Sequence, residues 1–135
     1  MPDVFISYSH NDQAVVDQLR DALADEGLSV FSDKSIRPGQ RFDEAIEEAL
    51  SKVSAVIVLW SQSSIQSDWV REEAAYAREQ GKLLPVISMP ASSVPIGFSQ
   101  LASIRLPGSG AEIDDKTRTA IIKAVREMAQ RTSQK

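Results

Sequence analysis

Two rhythms alternate along this chain. Short apolar runs rich in β-branched and aromatic residues give way to stretches in which apolar residues return every three or four positions, the periods of strands and of amphipathic helices. The runs are Val4-Phe5-Ile6-Ser7-Tyr8, Leu28-Ser29-Val30-Phe31, Ser54 to Trp60, Lys82 to Ser88, and a weaker one at Ala102 to Leu106. The most apolar of them, Ala55-Val56-Ile57-Val58-Leu59-Trp60, suits a strand buried on both faces. Between the runs the spacing predicts a helix over Gln13–Asp25, with Val15, Val16, Leu19, Ala22 and Leu23 inward, Asn11 or Asp12 as its cap and Gly27 as its left-handed end. A second helix, Arg41 to Lys52, carries Phe42, Ile46 and Leu50 as a stripe. A third begins at Ser67 or Asp68 and presents Val70, Ala74, Ala77 and Gly81 as a small-residue face. The last runs from about Ile113 to Met128 on Ile113, Ile121, Ile122 and Val125, and Gln130–Lys135 frays into a polar tail. Pro85 falls inside the fourth apolar run; lacking an N–H, it belongs near the strand start or off the ladder.

Strands that alternate with helices at this spacing predict an α/β sandwich of three layers, a five-stranded parallel sheet with helices on both faces and right-handed crossovers. The length suits a single domain over 1–132, with 133–135 as a polar tail. In such sheets ligands settle beyond the carboxyl ends of the strands, where the strand order reverses. Those ends are Ser7–Asp12, Phe31–Gln40, Trp60–Ser64 and Ser88–Gly97.

Composition then removes several classes of function. Hydrophobic residues are 42% of the chain and charged residues 25%, an ordinary globular mixture. The net charge of −4 and the lack of a Lys/Arg cluster argue against nucleic acid or an anionic membrane as partner. Without cysteine there is no disulfide framework and no thiolate metal site, and the single histidine, His10, excludes histidine-rich metal centres. Met1-Pro2-Asp3-Val4 lacks the character of a signal peptide, and no apolar run approaches the roughly 18 residues of a membrane span. These features predict a soluble, cytoplasmic domain.

Familiar catalytic signatures are missing. There is no Walker loop, and Gly108-Ser109-Gly110-Ala111-Glu112-Ile113 matches only part of a dinucleotide fingerprint, late in the chain. Trp60-Ser61 stands where a response-regulator phosphoacceptor would place its aspartate. His10 next to Ser9 lacks an acid to orient it as a nucleophile's base. The better candidate is the pair Trp69 and Glu73, four residues apart on one helix face beyond the end of the most buried strand, an aromatic plate beside a carboxylate. Glu72 competes but turns with Glu79 toward water. The ordinary alternatives are a solvated glutamate and a half-buried tryptophan covering the sheet end. Ser32–Gln40 reads as a long exposed loop in which Pro38-Gly39 makes a tight turn.

Three stretches in order resemble the signatures of the TIR (Toll/interleukin-1 receptor) domain family. Asp3-Val4-Phe5-Ile6-Ser7-Tyr8-Ser9 is similar to its first box. Phe31-Ser32-Asp33 through Ile36-Arg37-Pro38-Gly39-Gln40 is similar to its second box, the BB loop. Ser67-Asp68-Trp69-Val70-Arg71-Glu72-Glu73 is similar to its Ser-x-Trp-x-x-x-Glu helix. Gly97-Phe98-Ser99 stands at the third box, without the family's Phe-Trp pair.

The resemblance implies a flavodoxin-like fold of the bacterial TIR type. It also implies one of two functions, cleavage of NAD⁺ between nicotinamide and ribose or a non-catalytic role in assembly. For cleavage, it makes Glu73 the catalytic residue and puts substrate contacts at Ser9, His10, Asp33, Arg37 and Gly39, and Trp69, Trp60 or Phe31 are the candidates for apolar or stacking walls around the substrate. It assigns Ile36, Arg37, Pro38 and Gly39 to TIR–TIR contacts, through which the chain self-associates or meets other TIR domains. Some family members carry arginines where Ser9 and His10 stand. A single carboxylate suits the bond. Nicotinamide leaves as a neutral molecule, so the general acid of an ordinary glycosidase is unnecessary, and the carboxylate stabilises the oxocarbenium-like transition state. NAD⁺ is then a substrate, and no metal or resident cofactor is expected.

Overall fold

The sheet is built outward from β3 (Ala55–Trp60), every residue of which is buried. β1 (Val4–Ser7) pairs with it in parallel, Val4 opposite Ala55 and Ser7 opposite Val58. β4 (Leu83–Ile87) lies on its other side, from Val56 opposite Leu83 to Trp60 opposite Ile87. The short strands β2 (Val30–Phe31) and β5 (Ile104–Arg105) close the edges, giving a five-stranded sheet in the order β2-β1-β3-β4-β5. All four pairings are parallel. The computed structural model describes residues 3–9, 12–31, 48–61, 65, 68–87, 104–105 and 115–133.

Among the described residues the sheet is covered by α1 (Gln13–Asp25), α2 (Asp68–Glu79) and α3 (Asp115–Ser133). Side chains of successive strand residues point to opposite faces, and the packing divides accordingly. Val4, Ile6, Ala55, Ile57, Leu59, Leu84 and Val86 meet Val16, Leu19 and Leu23 of α1 and Ile121, Ile122 and Val125 of α3. Phe5, Val56, Val58, Trp60, Leu83 and Ile87 meet Val70, Ala74 and Ala77 of α2, together with Ala49, Leu50 and Val53. Residues 48–52 are helical, the end of the helix expected over Arg41–Lys52; Phe42 and Ile46 lie outside the described residues.

α1 spans the predicted residues and α2 starts at one of its two predicted positions. Both helices end on a left-handed glycine, Gly27 at φ +79° and Gly81 at φ +70°. At each, the glycine N–H and the next one reach back to helix carbonyls: Gly27 to Ala24 and Leu28 to Leu23, then Gly81 to Arg78 and Lys82 to Ala77. This pattern satisfies carbonyls the helix leaves open. Gly81 is therefore an exposed helix stop and not part of the small-residue face.

Four other expectations need correction. β2 is shorter than Leu28–Phe31, because the Leu28 N–H closes α1 and the Ser29 N–H goes to the Asp3 carboxylate at 3.0 Å. Pro85 sits in mid-strand opposite Val58. The Lys82 carbonyl bonds the Val56 N–H, so alternate residues of β4 turn to β3 and the Pro85 nitrogen faces the other way. On that side the described pairing with β5 involves Val86 and Ile87, so the missing N–H costs no bond to β3. α3 continues to Ser133 where a polar tail was expected from Gln130, since Ala129, Gln130 and Arg131 are good helix formers. Asp12 does sit at the α1 N-cap but makes no side-chain cap bond; its carboxylate is engaged elsewhere.

Candidate functional site

The strand order reverses between β1 and β3, which lie side by side while their chain continuations leave in opposite directions. Ser7 ends β1, Trp60 ends β3, and Ser61 follows it. Two polar pairs collect there. Ser7, by alternation with Phe5, faces α2, and its hydroxyl donates to Glu73 Oε1 at 2.6 Å. Both residues are buried, Ser7 at 2% and Glu73 at 5% exposure. The Ser61 hydroxyl donates a short hydrogen bond to Asp12 Oδ2, tying the start of α1 to the end of β3.

The helical spacing accounts for the burial of Glu73. Val70, Glu73, Ala74 and Ala77 follow the three-and-four rhythm of an inward stripe, and the three apolar members are at most 1% exposed. Glu73 occupies a core position among small side chains, while Glu72, one residue earlier, is exposed along with Glu79. A buried carboxylate is costly unless hydrogen-bonded, and Ser7 supplies such a bond. Its place at the carboxyl ends of the two strands flanking the order reversal is where doubly wound sheets bind ligands.

The remaining site candidates distribute unevenly. Phe31 is half-buried and stacks on Phe5, ring centroids 5.5 Å apart and planes 20° from parallel. Ser9 is half-buried, and its carbonyl accepts the Asp12 N–H at 2.8 Å. Trp60 is fully buried in the core on the α2 side and presents no ring to a ligand, which overturns its expected place as a site wall. His10, Asp33, Ile36, Arg37, Pro38, Gly39 and the Trp69 side chain lie outside the described residues. Ser7, Asp12 and Ser61 were not among the sequence candidates. A serine interrupting the apolar run Val4-Phe5-Ile6 was the available signal for Ser7.

The described clefts lie on the other side of the sheet or beside it. One of about 220 Å³ separates α1 from α3 between Leu19, Asp25, Arg118 and Ile122. A second, about 500 Å³, runs along α1 past Leu28 and Val30. Neither includes Ser7 or Glu73. Arg118 spans the first toward Asp25 at 3.3 Å, an exposed ion pair worth little in water. No helix among the described residues is long and apolar enough to cross a membrane.

A parallel sheet covered on both faces, with a buried carboxylate at its order reversal, defines a flavodoxin-like α/β protein. A TIR domain profile matches residues 4–121, and the chain belongs to the TIR domain family. Among proteins of known sequence, it is 27% identical over 95 residues to "Putative cyclic ADP-D-ribose synthase TIR2" of Cytobacillus dafuensis, covering 64% of this chain and 25% of that protein. It is 28% identical over 148 aligned positions to the uncharacterized protein y4lF of Sinorhizobium fredii, covering 98% of this chain and 45% of the relative. The chain thus spans less than half the length of either relative. Among solved structures it is similar to the TIR domain of the Toll-related receptor TRR-2 from Hydra magnipapillata, with TM-score 0.77, 20% identity, and coverage of 96% and 99% of the two chains. A TIR-STING receptor from C. gigas gives TM-score 0.73 and 24% identity, covering 90% of this chain and 38% of that one. At these identities the structural likeness establishes the fold.

Proposed function

We propose that this TIR domain cleaves NAD⁺ at the nicotinamide–ribose bond, with Glu73 as the catalytic carboxylate. The observation that carries the reading is the burial of Glu73 at the sheet's order reversal, in a motif helix whose other inward residues are apolar. The likeness to a relative named for cyclic ADP-ribose synthesis supports the same chemistry. The bond from ribose C1′ to the pyridinium nitrogen breaks, its electron pair leaves with neutral nicotinamide, and positive charge develops on the ribose. A carboxylate held in a water-poor setting stabilises that charge far more than one in bulk water. Water then adds at C1′ and loses a proton to give ADP-ribose, or an adenine nitrogen of the same molecule adds to give a cyclic ADP-ribose. The activity depends on self-association through TIR–TIR contacts at Ile36, Arg37, Pro38 and Gly39, and serves bacterial signalling or defence in the cytoplasm.

The test is nicotinamide release at high protein concentration by wild type and Glu73→Gln. Release by the wild type that drops in the variant supports the reading; equal rates overturn it. One observation favours a second reading. Because Oε1 of Glu73 bonds a strand serine at 2.6 Å, the glutamate also serves as a tie between α2 and β1. A non-catalytic interaction module would keep it for that reason alone. Self-association without nicotinamide release from either protein would select this alternative.

A further inference from the structure

Ser7 and Glu73 form a buried polar pair on a face otherwise packed with Phe5, Val58, Val70, Ala74 and Ala77. Replacing both members of a buried hydrogen-bonded pair by apolar groups of similar shape is often neutral or stabilising. Strand alternation would equally admit an aliphatic residue at position 7, as at Val58 opposite. What the pair does provide is orientation. α2 packs on this face through Val70, Ala74 and Ala77, with Glu73 buried among them and its Oε1 held by the Ser7 hydroxyl. The Ser7 hydroxyl hangs from the last residue of a central strand, bonded along its length to β3, and is as rigid a donor as this fold offers.

We propose that Ser7 is the positioning residue of the site: its hydroxyl orients the Glu73 carboxylate toward the ribose and acts on catalysis only through it. The proposal rests on the reading of Glu73 as the catalytic carboxylate of NAD⁺ cleavage. Catalytic groups held to within about half an ångström depend on such supporting bonds, and small misplacements cost roughly a hundred-fold in rate.

The experiment compares wild type with Ser7→Ala, Ser7→Cys and Ser7→Thr at assembling concentration, measuring nicotinamide release against NAD⁺ concentration, with a melting curve for each. Cysteine fills the space of serine with a poor donor, and threonine keeps the hydroxyl. Ser7→Ala and Ser7→Cys should lose roughly ten- to a hundred-fold in kcat with KM within about two-fold, while Ser7→Thr returns most of the rate. Were Ser7→Ala not to fold, the cysteine and threonine pair carries the same comparison. Wild-type kcat in Ser7→Cys would overturn the positioning role while the contrast of wild type with Glu73→Gln leaves NAD⁺ cleavage standing. Should the wild type itself release no nicotinamide, the NAD⁺ reading fails, and crystal structures of the cysteine variant decide the positioning role alone. A Glu73 carboxylate spread over several orientations there supports it, and one unmoved from its wild-type orientation overturns it.

Discussion

The two faces of this sheet are built from the same strands yet differ in what they can do. Toward α1 and α3 the fully buried packing is aliphatic, Val4, Ile6, Ile57, Leu59 and Val86 against Val16, Leu19, Leu23, Ile121 and Val125, with Tyr8 and Met128 partly buried against it. Toward α2 it is aromatic and uneven, with Phe5 stacked on Phe31, Trp60 fully buried, alanines where α2 meets the strands, and the Ser7–Glu73 pair set among them. Branched aliphatic side chains fill the centre of that face. Small residues on α2 bring that helix close to the sheet and leave space for a charged side chain next to a strand end. One face is thus apolar packing, and the other holds the buried Ser7–Glu73 pair to which the proposed NAD⁺ cleavage is assigned.

Substitutions on each face should therefore register in different assays. The largest effect is expected at Glu73→Gln, which removes the charge and keeps the shape; nicotinamide release should fall by at least about a hundred-fold with a much smaller change in melting temperature. On the aliphatic face, Leu19→Ala should cost about 2–5 kcal/mol in urea unfolding, yet leave the rate per folded molecule unchanged. A large loss of rate from Leu19→Ala at full folding would break the division of labour. Ser61→Ala should cost about 1–2 kcal/mol by leaving the half-buried Asp12 carboxylate without that donor, measured again in urea. The smallest effect concerns pH. Loss of water around Lys82, whose amino group reaches the Val53 carbonyl at 3.2 Å, lowers its pKa below the ordinary lysine value. Between the lowered and the ordinary value the unfolded chain holds more protons, so stability rises slightly with pH in that alkaline window. Lys82→Gln should flatten the rise in a denaturation series.

Much of the fold could be read from residue order because its strongest elements obey local rules. β3 is uniformly apolar, α1 carries a clear stripe and a glycine stop, and both appear within a residue of their expected limits. The elements that differ are governed by distant partners. β2 is shortened because Asp3 takes the Ser29 N–H across 26 residues. Asp12 forgoes capping because Ser61, 49 residues later, offers its carboxylate a donor. The inward turn of Glu73 and the outward turn of Glu72 followed from helix period. The Ser7–Glu73 bond, spanning 66 positions, required knowing which strand lies under α2. Trp60 looked available to a ligand only because sequence does not reveal how completely α2 covers the end of β3.

Gly27 and Gly81 turn the chain where strands begin, whereas Ser7, Ser61 and Glu73 gather where strands finish. The six residues of β3 set these two rims about 20 Å apart. A dye or fused protein grafted onto either glycine bend would ride on the far rim from the carboxylate, so labelled copies could test the proposed association without crowding the proposed site.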